Sequence, residues 1–212
     1  GSSDGRHVRD FIRYCSGACT AEEAFPGIHA QGAYAISIHL LFPISSKYNC
    51  WRELAGAFFC VEGDAQAVEV FVPLLRGLGL QVQTISPESK AQYHLSCALA
   101  SNFVCALVQR SAELLGGCGF SQTDALHALA PLMRSNLAHV IEHGAVSALT
   151  GPIERGDTQT VQKHLSCLTE RDDRQLYALL GLEQVKMAQE KHPEQDYGTL
   201  AALLNREKEQ NE

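Results

Sequence analysis

A long helical pattern in the middle of the chain constrains its fold more than any other feature. It begins at "SPESK", where Ser86 takes the N-cap position and Pro87 the first helical position, and it continues to Leu115 before "GGCG" ends it. A helix of roughly 29 residues would be about 43 Å long. Its middle, residues 97–108, is apolar on nearly every face, so other helices must surround it. The pattern predicts a helical bundle built around one long central helix.

Short strands and one helix precede this pattern, and further helices follow it. Four runs have the content and boundaries of strands: "DFIRYCSG", "GAYAISIHLL", "GAFFCVEGD" and "LQVQTIS". Between the last two runs, residues 65–79 are amphipathic and end at a glycine, which is typical of a helix. After the central helix, helical patterns cover residues 121–143, 157–169, 172–191 and 197–208. We therefore expect an α/β domain with a parallel or mixed sheet over residues 1–86, followed by an all-α domain over residues 87–212.

Composition argues against several classes of partner. The net charge is -7 and the sequence contains no basic run, so we expect no nucleic acid and no anionic membrane surface as the main partner. The longest uncharged stretch, residues 91–109, is about as long as a membrane span, but its polar side chains favour a buried core helix. The eight cysteines form no CxxC pair. We expect free buried thiols, no metal site and a cytoplasmic protein.

One predicted strand carries polar residues on a single face. Ser37 and His39 stand at alternate positions, so their side chains project to the same side of the sheet. A predicted loop with Pro43 and the polar residues 45–47 follows. Because α/β folds place ligands at the carboxyl ends of their strands, His39 is a candidate site residue. The alternative is a hydrogen-bonded histidine at a sheet edge.

The central helix carries a second polar group. His94 and Ser101 lie within about 20° of each other around the helix axis, and Asn102 lies roughly 80° away from His94. A buried polar group without a partner costs a few kcal/mol. These side chains are therefore expected to contact a ligand or to form hydrogen bonds with a neighbouring helix.

The segment "TGPIERGD", residues 150–157, interrupts the helical half. Gly151 and Pro152 end the preceding helix, and Asp157 can cap the next one. Arg155 is thereby held near a helix N-terminus, where an anion such as phosphate or carboxylate would bind. The alternative is a well-capped turn with a solvated Arg155.

Taken together, these segments resemble a family of proposed NADP-dependent oxidoreductases that is related in layout to 6-phosphogluconate dehydrogenase and pyrroline-carboxylate reductase. The resemblance covers most of residues 10–180. It rests on "CSGACTAEEAF", "GAYAISIH" with "SSKY", "FFCVEGD", "AQYHLSCALASNFVCALV" and "ALTGPIERGDTQTVQKHL". It implies a Rossmann-like sheet, a helical dimerisation domain similar to the C-terminal domain of 6-phosphogluconate dehydrogenase, a homodimer, and an active site in the cleft between the domains.

The resemblance also implies roles for particular residues and a cofactor. The cofactor would be NADP, with NAD as the alternative. A proton donor or acceptor on the central helix makes His94 the candidate general acid or base, with His39 as the other candidate. The remaining implied contacts are Cys15, Ser16 and Gly17 beside the nicotinamide, Ser101 and Asn102 facing the cleft, and Thr150, Arg155 and Asp157 approaching it. Arg155 would hold an acidic substrate group.

Two features of this sequence depart from the family pattern. Leu40 follows His39, where family members continue into a proline. The sequence also contains no strand with a GxGxxG turn and an acidic residue some 20 positions later, which are the parts that hold the dinucleotide. We therefore do not expect this chain alone to bind NADP in the usual way. The explanations are a missing first part, a truncated homologue that does not bind NADP, and a remodelled binding protein; the first is favoured because four strands alone would expose a long sheet edge.

The sequence therefore predicts an NAD(P)-dependent oxidoreductase-like protein. It would transfer hydride between nicotinamide and a small carbonyl, imine or hydroxy-acid substrate. The alternative function is a non-catalytic dimeric scaffold or small-molecule sensor that retains the fold without binding the cofactor.

Overall fold

The structure is a computed structural model, and it describes residues 12–42, 54 and 56–209. The chain divides into two compact units, with the division between Ser111 and Ala112. The domain boundary predicted after residue 86 stays a prediction. The predicted loop at Pro43 and residues 45–47 lies outside the described residues.

The first unit contains a four-stranded mixed sheet. The strands lie in chain order, β1 (Ile12–Cys15), β2 (Tyr34–Leu41), β3 (Phe58–Gly63) and β4 (Gln81–Thr84). The pairs β1–β2 and β3–β4 are parallel, and β2–β3 is antiparallel. All four predicted strands and the mixed sheet are confirmed.

The two faces of this sheet differ in chemistry. On one face, Ile36 and Val61 pack against Ala67 and Val72 of helix α2 (Ala65–Gly77). The other face, which we call the polar face, carries Ser37 and His39 of β2 and Cys60 and Glu62 of β3 at alternate positions. In the register of the two strands, Ser37 pairs with Glu62 and His39 pairs with Cys60. Polar groups are therefore concentrated on one side of the sheet, and Ser37, Cys60 and Glu62 are buried there.

A short connection between β1 and β2 contains a helix that the sequence did not predict. This helix, α1 (Ala21–Ala24), is capped by Thr20, whose side chain accepts a hydrogen bond from the Glu23 backbone while the Glu23 carboxylate accepts one from the Thr20 backbone. It buries Ala21 together with Ile28 of the following 3₁₀ turn against the start of β2.

The predicted central helix is present, with one interruption. A 3₁₀ turn (Pro87–Ser89) leads into α3 (Lys90–Ala100), and α4 (Asn102–Gly117) follows after Ser101. Ser101 departs from helical geometry, with φ -123° and ψ -73°. Ser86 occupies the predicted N-cap position, but its side chain forms no capping bond. By length and composition alone, Pro87–Gly117 could cross a membrane.

A row of apolar side chains along this segment is exposed, and we call it the apolar stripe. Leu95, Leu99, Phe103 and Leu107 recur every four residues and are 38 to 53% exposed. Residues 97–108 are thus largely exposed within their own unit, and the predicted enclosure by other helices stays a prediction. An exposed apolar surface of this kind marks an interaction site.

The second unit is helical. Its helices are α5 (Gln122–His143), α6 (Ala145–Ala148), α7 (Thr158–Cys167), α8 (Arg171–Lys191) and α9 (Gly198–Glu209), so the four predicted helices are confirmed and α6 is additional. The core is formed by side chains from α7, α8 and α9, from the turn before α7 and from the segment between α8 and α9. Its largest members are Ile153, Val161, Leu165, Val185, Tyr197, Leu200 and Leu204.

The cysteines of the described residues have free thiols. Among them only Cys60 is buried, whereas Cys19, Cys105, Cys118 and Cys167 are exposed. The prediction of buried thiols is therefore confirmed for Cys60 and wrong for these four, because apolar neighbours in the sequence do not by themselves bury a residue.

Candidate functional site

A pocket of about 340 Å³ lies at the carboxyl end of β2. Its lining includes four of the predicted site residues, His39, His94, Ser101 and Asn102. The two histidines are half-buried, and Ser101 and Asn102 are exposed. The break at Ser101 lies at this pocket, where α3 ends and α4 begins. The structure thus brings together polar groups from β2 and from the central helical segment, while their roles remain predictions.

His39 is held by a hydrogen bond to a tyrosine. Its Nδ1 lies 2.8 Å from the hydroxyl oxygen of Tyr93, and its ring centroid lies 5.8 Å from that of His94. Burial lowers the pKa of His39, and the charges of Lys90 and His94 lower it further. Because the ordinary histidine pKa is already about 6.5, His39 is neutral at pH 7. A neutral imidazole can donate one hydrogen bond and accept another.

A buried lysine lies beneath the polar face. Lys90, the first residue of α3, is 1% exposed, and its Nζ donates a hydrogen bond of 2.6 Å to the Oγ of the fully buried Ser37. The Lys90 ammonium also lies 6.0 Å from the centroid of the Tyr93 ring. A buried charge is costly unless it is hydrogen-bonded or paired, so this arrangement anchors the start of α3 to the sheet.

Sequence reasoning missed Lys90. A lysine in the first turn of a helix normally extends into solvent, and nothing local distinguishes this one. The available signal was Ser37, because a hydroxyl on the inner face of a buried strand requires a hydrogen-bond partner from another element.

Glu62 is a second buried ionisable group on the polar face. It is 1% exposed, and its Oε1 accepts a 2.7 Å hydrogen bond from the backbone N–H of Ala21. Burial raises the pKa of Glu62, while the Ala21 bond and the charge of Lys90 act in the opposite direction. Ser37 therefore has a lysine bonded to it and a carboxyl group opposite it on the neighbouring strand.

The predicted cofactor contacts lie at the end of β1. Cys15 pairs with Ser37 in the register of the parallel strands. Burial raises the pKa of the Cys15 thiol, and a hydrogen bond with Ser37 partly offsets this. Ser16 is exposed, and Gly17 has a φ of +107°, which favours glycine in the turn after the strand. Their contact with nicotinamide remains a prediction.

The predicted substrate contacts Thr150, Arg155 and Asp157 belong to the second unit. Asp157 caps α7: its Oδ1 accepts a 3.0 Å bond from the Thr160 backbone N–H, and its Oδ2 accepts a 2.6 Å bond from the Thr160 hydroxyl. The side-chain and backbone hydrogen bonds from Thr160 hold the pKa of Asp157 below its ordinary value. The predicted N-cap is confirmed, and both carboxylate oxygens are engaged in it.

The turn that carries Arg155 is held from the C-terminal segment. The amide of Gln195 donates a 3.0 Å bond to the backbone oxygen of Arg155, and the hydroxyl of Tyr197 donates a 2.5 Å bond to that of Glu154. The side chain of Arg155 is exposed on this anchored backbone, and Thr150 is exposed as well. The capped turn is confirmed, and the anion contact stays a prediction.

Comparison with known proteins places the chain in a family. A family model described as "Domain of unknown function (DUF2520)" matches residues 57–184, which is more than half of the chain. This chain is a DUF2520 protein. The DUF2520 match starts just before β3 and ends within α8, so it includes Lys90, His94 and the Arg155 turn. A search of curated proteins gave no match.

Two solved structures resemble this DUF2520 protein. Protein TM1727 from Thermotoga maritima is 23% identical, with a TM-score of 0.59, and the alignment covers 93% of this chain and 68% of that protein. The putative NADP oxidoreductase BF3122 from Bacteroides fragilis is 18% identical, with a TM-score of 0.68, and the alignment covers 86% of this chain and 68% of that protein. At these identities the similarity establishes the fold, which is an α/β region followed by an all-α region.

Proposed function

We propose that this DUF2520 protein is an NADP-type oxidoreductase that transfers hydride between nicotinamide and a small carbonyl, imine or hydroxy-acid substrate. The observation that carries the proposal is the pocket at the end of β2, where His39 and His94 meet the exposed Ser101 and Asn102. The fold shared with a protein described as an NADP oxidoreductase supports it. NAD is the alternative cofactor.

In this proposal the pocket binds the substrate and moves its proton. His94 is the general acid or base, because it lines the pocket beside a second imidazole and can reach a substrate oxygen or nitrogen there. Ser101 and Asn102 orient the substrate through hydrogen bonds. Arg155 belongs to the second unit and is proposed separately as the contact for an acidic group. Bound nicotinamide would supply or accept the hydride.

The residues that would border the nicotinamide are Cys15, Ser16 and Gly17. They lie at the carboxyl end of β1, which runs parallel to β2, so they are at the same sheet end as the pocket. The sequence contains no GxGxxG turn to hold a pyrophosphate. The proposal therefore assigns only the nicotinamide end of the cofactor to these residues.

Binding and turnover test the function. NADPH is titrated against this chain and against a form extended upstream where the gene encodes more residues. In the active form, His94→Ala should lower turnover about 100-fold or more, whereas Gln92→Ala, an exposed change on the same helix, should leave it unchanged. Arg155→Ala should raise KM for an acidic substrate without lowering kcat. Unchanged turnover in His94→Ala would show that His94 is not the general acid or base. Failure of the extended form to bind NADPH would contradict the oxidoreductase function and leave the scaffold or sensor as the alternative.

We also propose that a second copy of the chain covers the apolar stripe. Its period of four residues gives a continuous ridge of the kind that packs between helices. A bilayer is a poorer partner, because the Lys90 and Tyr93 bonds hold the beginning of α3 on the sheet. Light scattering should show a dimer that Phe103→Glu converts to monomer and that Gln92→Glu, with the same charge change, leaves intact. A monomeric wild type, or binding to phosphatidylcholine vesicles through the stripe, would contradict this.

A further inference from the structure

The contact between Tyr93 and His39 determines which hydrogen-bonding group the pocket offers. The Tyr93 hydroxyl lies 2.8 Å from Nδ1 of His39, and the two rings meet edge to face with centroids 5.4 Å apart. Nε2 is on the opposite side of the imidazole, and no described residue forms a hydrogen bond with it. His39 itself lines the pocket.

Among the hydrogen bonds of the described residues, the Tyr93 hydroxyl takes part in one, with Nδ1 of His39. The thiols of Cys60 and Cys97 are the other polar groups near this hydroxyl. Sulfur is a weak acceptor and a thiol a weak donor, whereas an unprotonated imidazole nitrogen is a strong acceptor. The favoured arrangement therefore has the Tyr93 O–H donating to Nδ1 of His39 and not to a sulfur atom. In a neutral His39 the proton must then be on Nε2.

We propose that Tyr93 is a positioning residue that fixes His39 in its Nε2–H tautomer, so that the pocket presents a fixed hydrogen-bond donor to a substrate carbonyl oxygen. The inference rests on the proposed function, because it concerns the same pocket, and it adds a residue and a preference that the sequence did not indicate. Burial supports it, because it raises the pKa of Tyr93 and lowers that of His39, which keeps both groups neutral at pH 7.

Nitrogen-15 NMR of the whole chain tests the tautomer directly. Long-range proton–nitrogen spectra distinguish a protonated from an unprotonated ring nitrogen, and His39→Gln assigns the signals. Wild type should show Nε2 protonated and Nδ1 unprotonated. Tyr93→Phe, which retains the ring, should give a mixture of tautomers. An Nδ1–H tautomer in wild type would overturn the proposal even if Tyr93→Phe did not fold.

A matched pair elsewhere in the chain supplies the control. In the second unit, His164 Nδ1 lies 2.9 Å from the hydroxyl of Tyr177. Tyr177→Phe removes the same type of hydroxyl and should leave the His39 signals unchanged. Unchanged His39 signals in Tyr93→Phe as well would show that the hydroxyl does not set the tautomer.

Ligand preference is tested with two probes of the same ring size. Cyclohexanone offers an acceptor oxygen, and cyclohexylammonium offers only donors. Cyclohexanone should shift the His39 Nε2 resonance in wild type and less so in Tyr93→Phe, whereas cyclohexylammonium should not shift it. Equal shifts from both probes, or none from cyclohexanone, would refute the carbonyl preference. These measurements need neither NADPH nor turnover, so their failure is separable from failure of the proposed function.

Discussion

Replacing Ser37 with alanine tests the buried lysine of the first unit. The change removes one oxygen atom, which accepts the 2.6 Å hydrogen bond from Lys90. Ser37 is 0% and Lys90 1% exposed, so water cannot replace the lost acceptor. A hydrogen bond to a charged group contributes about 1.5 to 3 kcal/mol. We therefore expect Ser37→Ala to lower the free energy of unfolding by about 1.5 to 3 kcal/mol.

A double-mutant cycle isolates this interaction from the other contacts of Ser37. Lys90→Met removes the ammonium and keeps an unbranched side chain of similar length. In the Lys90→Met background, Ser37→Ala should cost less than about 0.5 kcal/mol, which gives a coupling energy of about 1 kcal/mol or more. The contact of Ser37 with Cys15 is present in both backgrounds and cancels.

The assay is urea unfolding followed by circular dichroism, with amide hydrogen exchange of β2 to assign the loss to the first unit. Ser96→Ala is the control, because among the described residues its exposed hydroxyl bonds only to the backbone oxygen of Tyr93. This change should alter the free energy of unfolding by less than about 0.5 kcal/mol. An equal cost of Ser37→Ala in both backgrounds would refute the reasoning, since it would mean that the lysine and the serine are not coupled.

Three further predictions follow from local geometry. Gly63→Ala should lower the free energy of unfolding in urea by about 3 kcal/mol or more, because a Cβ there would lie 2.5 Å from a backbone oxygen of β2. Gly79 also has a positive φ but open space around it, so Gly79→Ala should lower that free energy by only about 1 kcal/mol. Tyr197→Phe should lose about 1 to 2 kcal/mol in the same assay, since its buried hydroxyl bonds to the Glu154 backbone oxygen. The pKa of Asp157 is lowered, so the stability that its carboxylate gives the protein should be present above about pH 4 and lost as the pH falls further. In thermal melts, Asp157→Asn should abolish this part of the pH dependence of stability.

Local patterns were sufficient for most elements of the fold. Alternation and turn residues located the four strands, and the helical period with its caps located α2, α5, α7, α8 and α9. These patterns extend over a few residues, so they predict an element without knowledge of the elements that pack against it. The break at Ser101 could not be predicted, because the sequence around Ser101 contains neither glycine nor proline.

Only part of the candidate site could be predicted, because contacts between distant elements leave no local signal in the sequence. His39, His94, Ser101 and Asn102 were identified as polar residues in apolar elements, and the structure places them around one pocket. Tyr93 was missed, because a tyrosine on a half-buried helix is ordinary and nothing local shows that its hydroxyl meets an imidazole of β2.

By itself the sequence determined the order of elements, the change from α/β to all-α, and the capped turn around Arg155. Only the tertiary structure decided that Cys60 and Glu62 lie beside the predicted polar residues of β2, that Lys90 is buried on Ser37, and that the apolar stripe is left exposed. The physical reason is range. Periodicity and capping depend on neighbours within one or two turns, whereas burial of a charge or exposure of a helix face depends on which distant element packs against it.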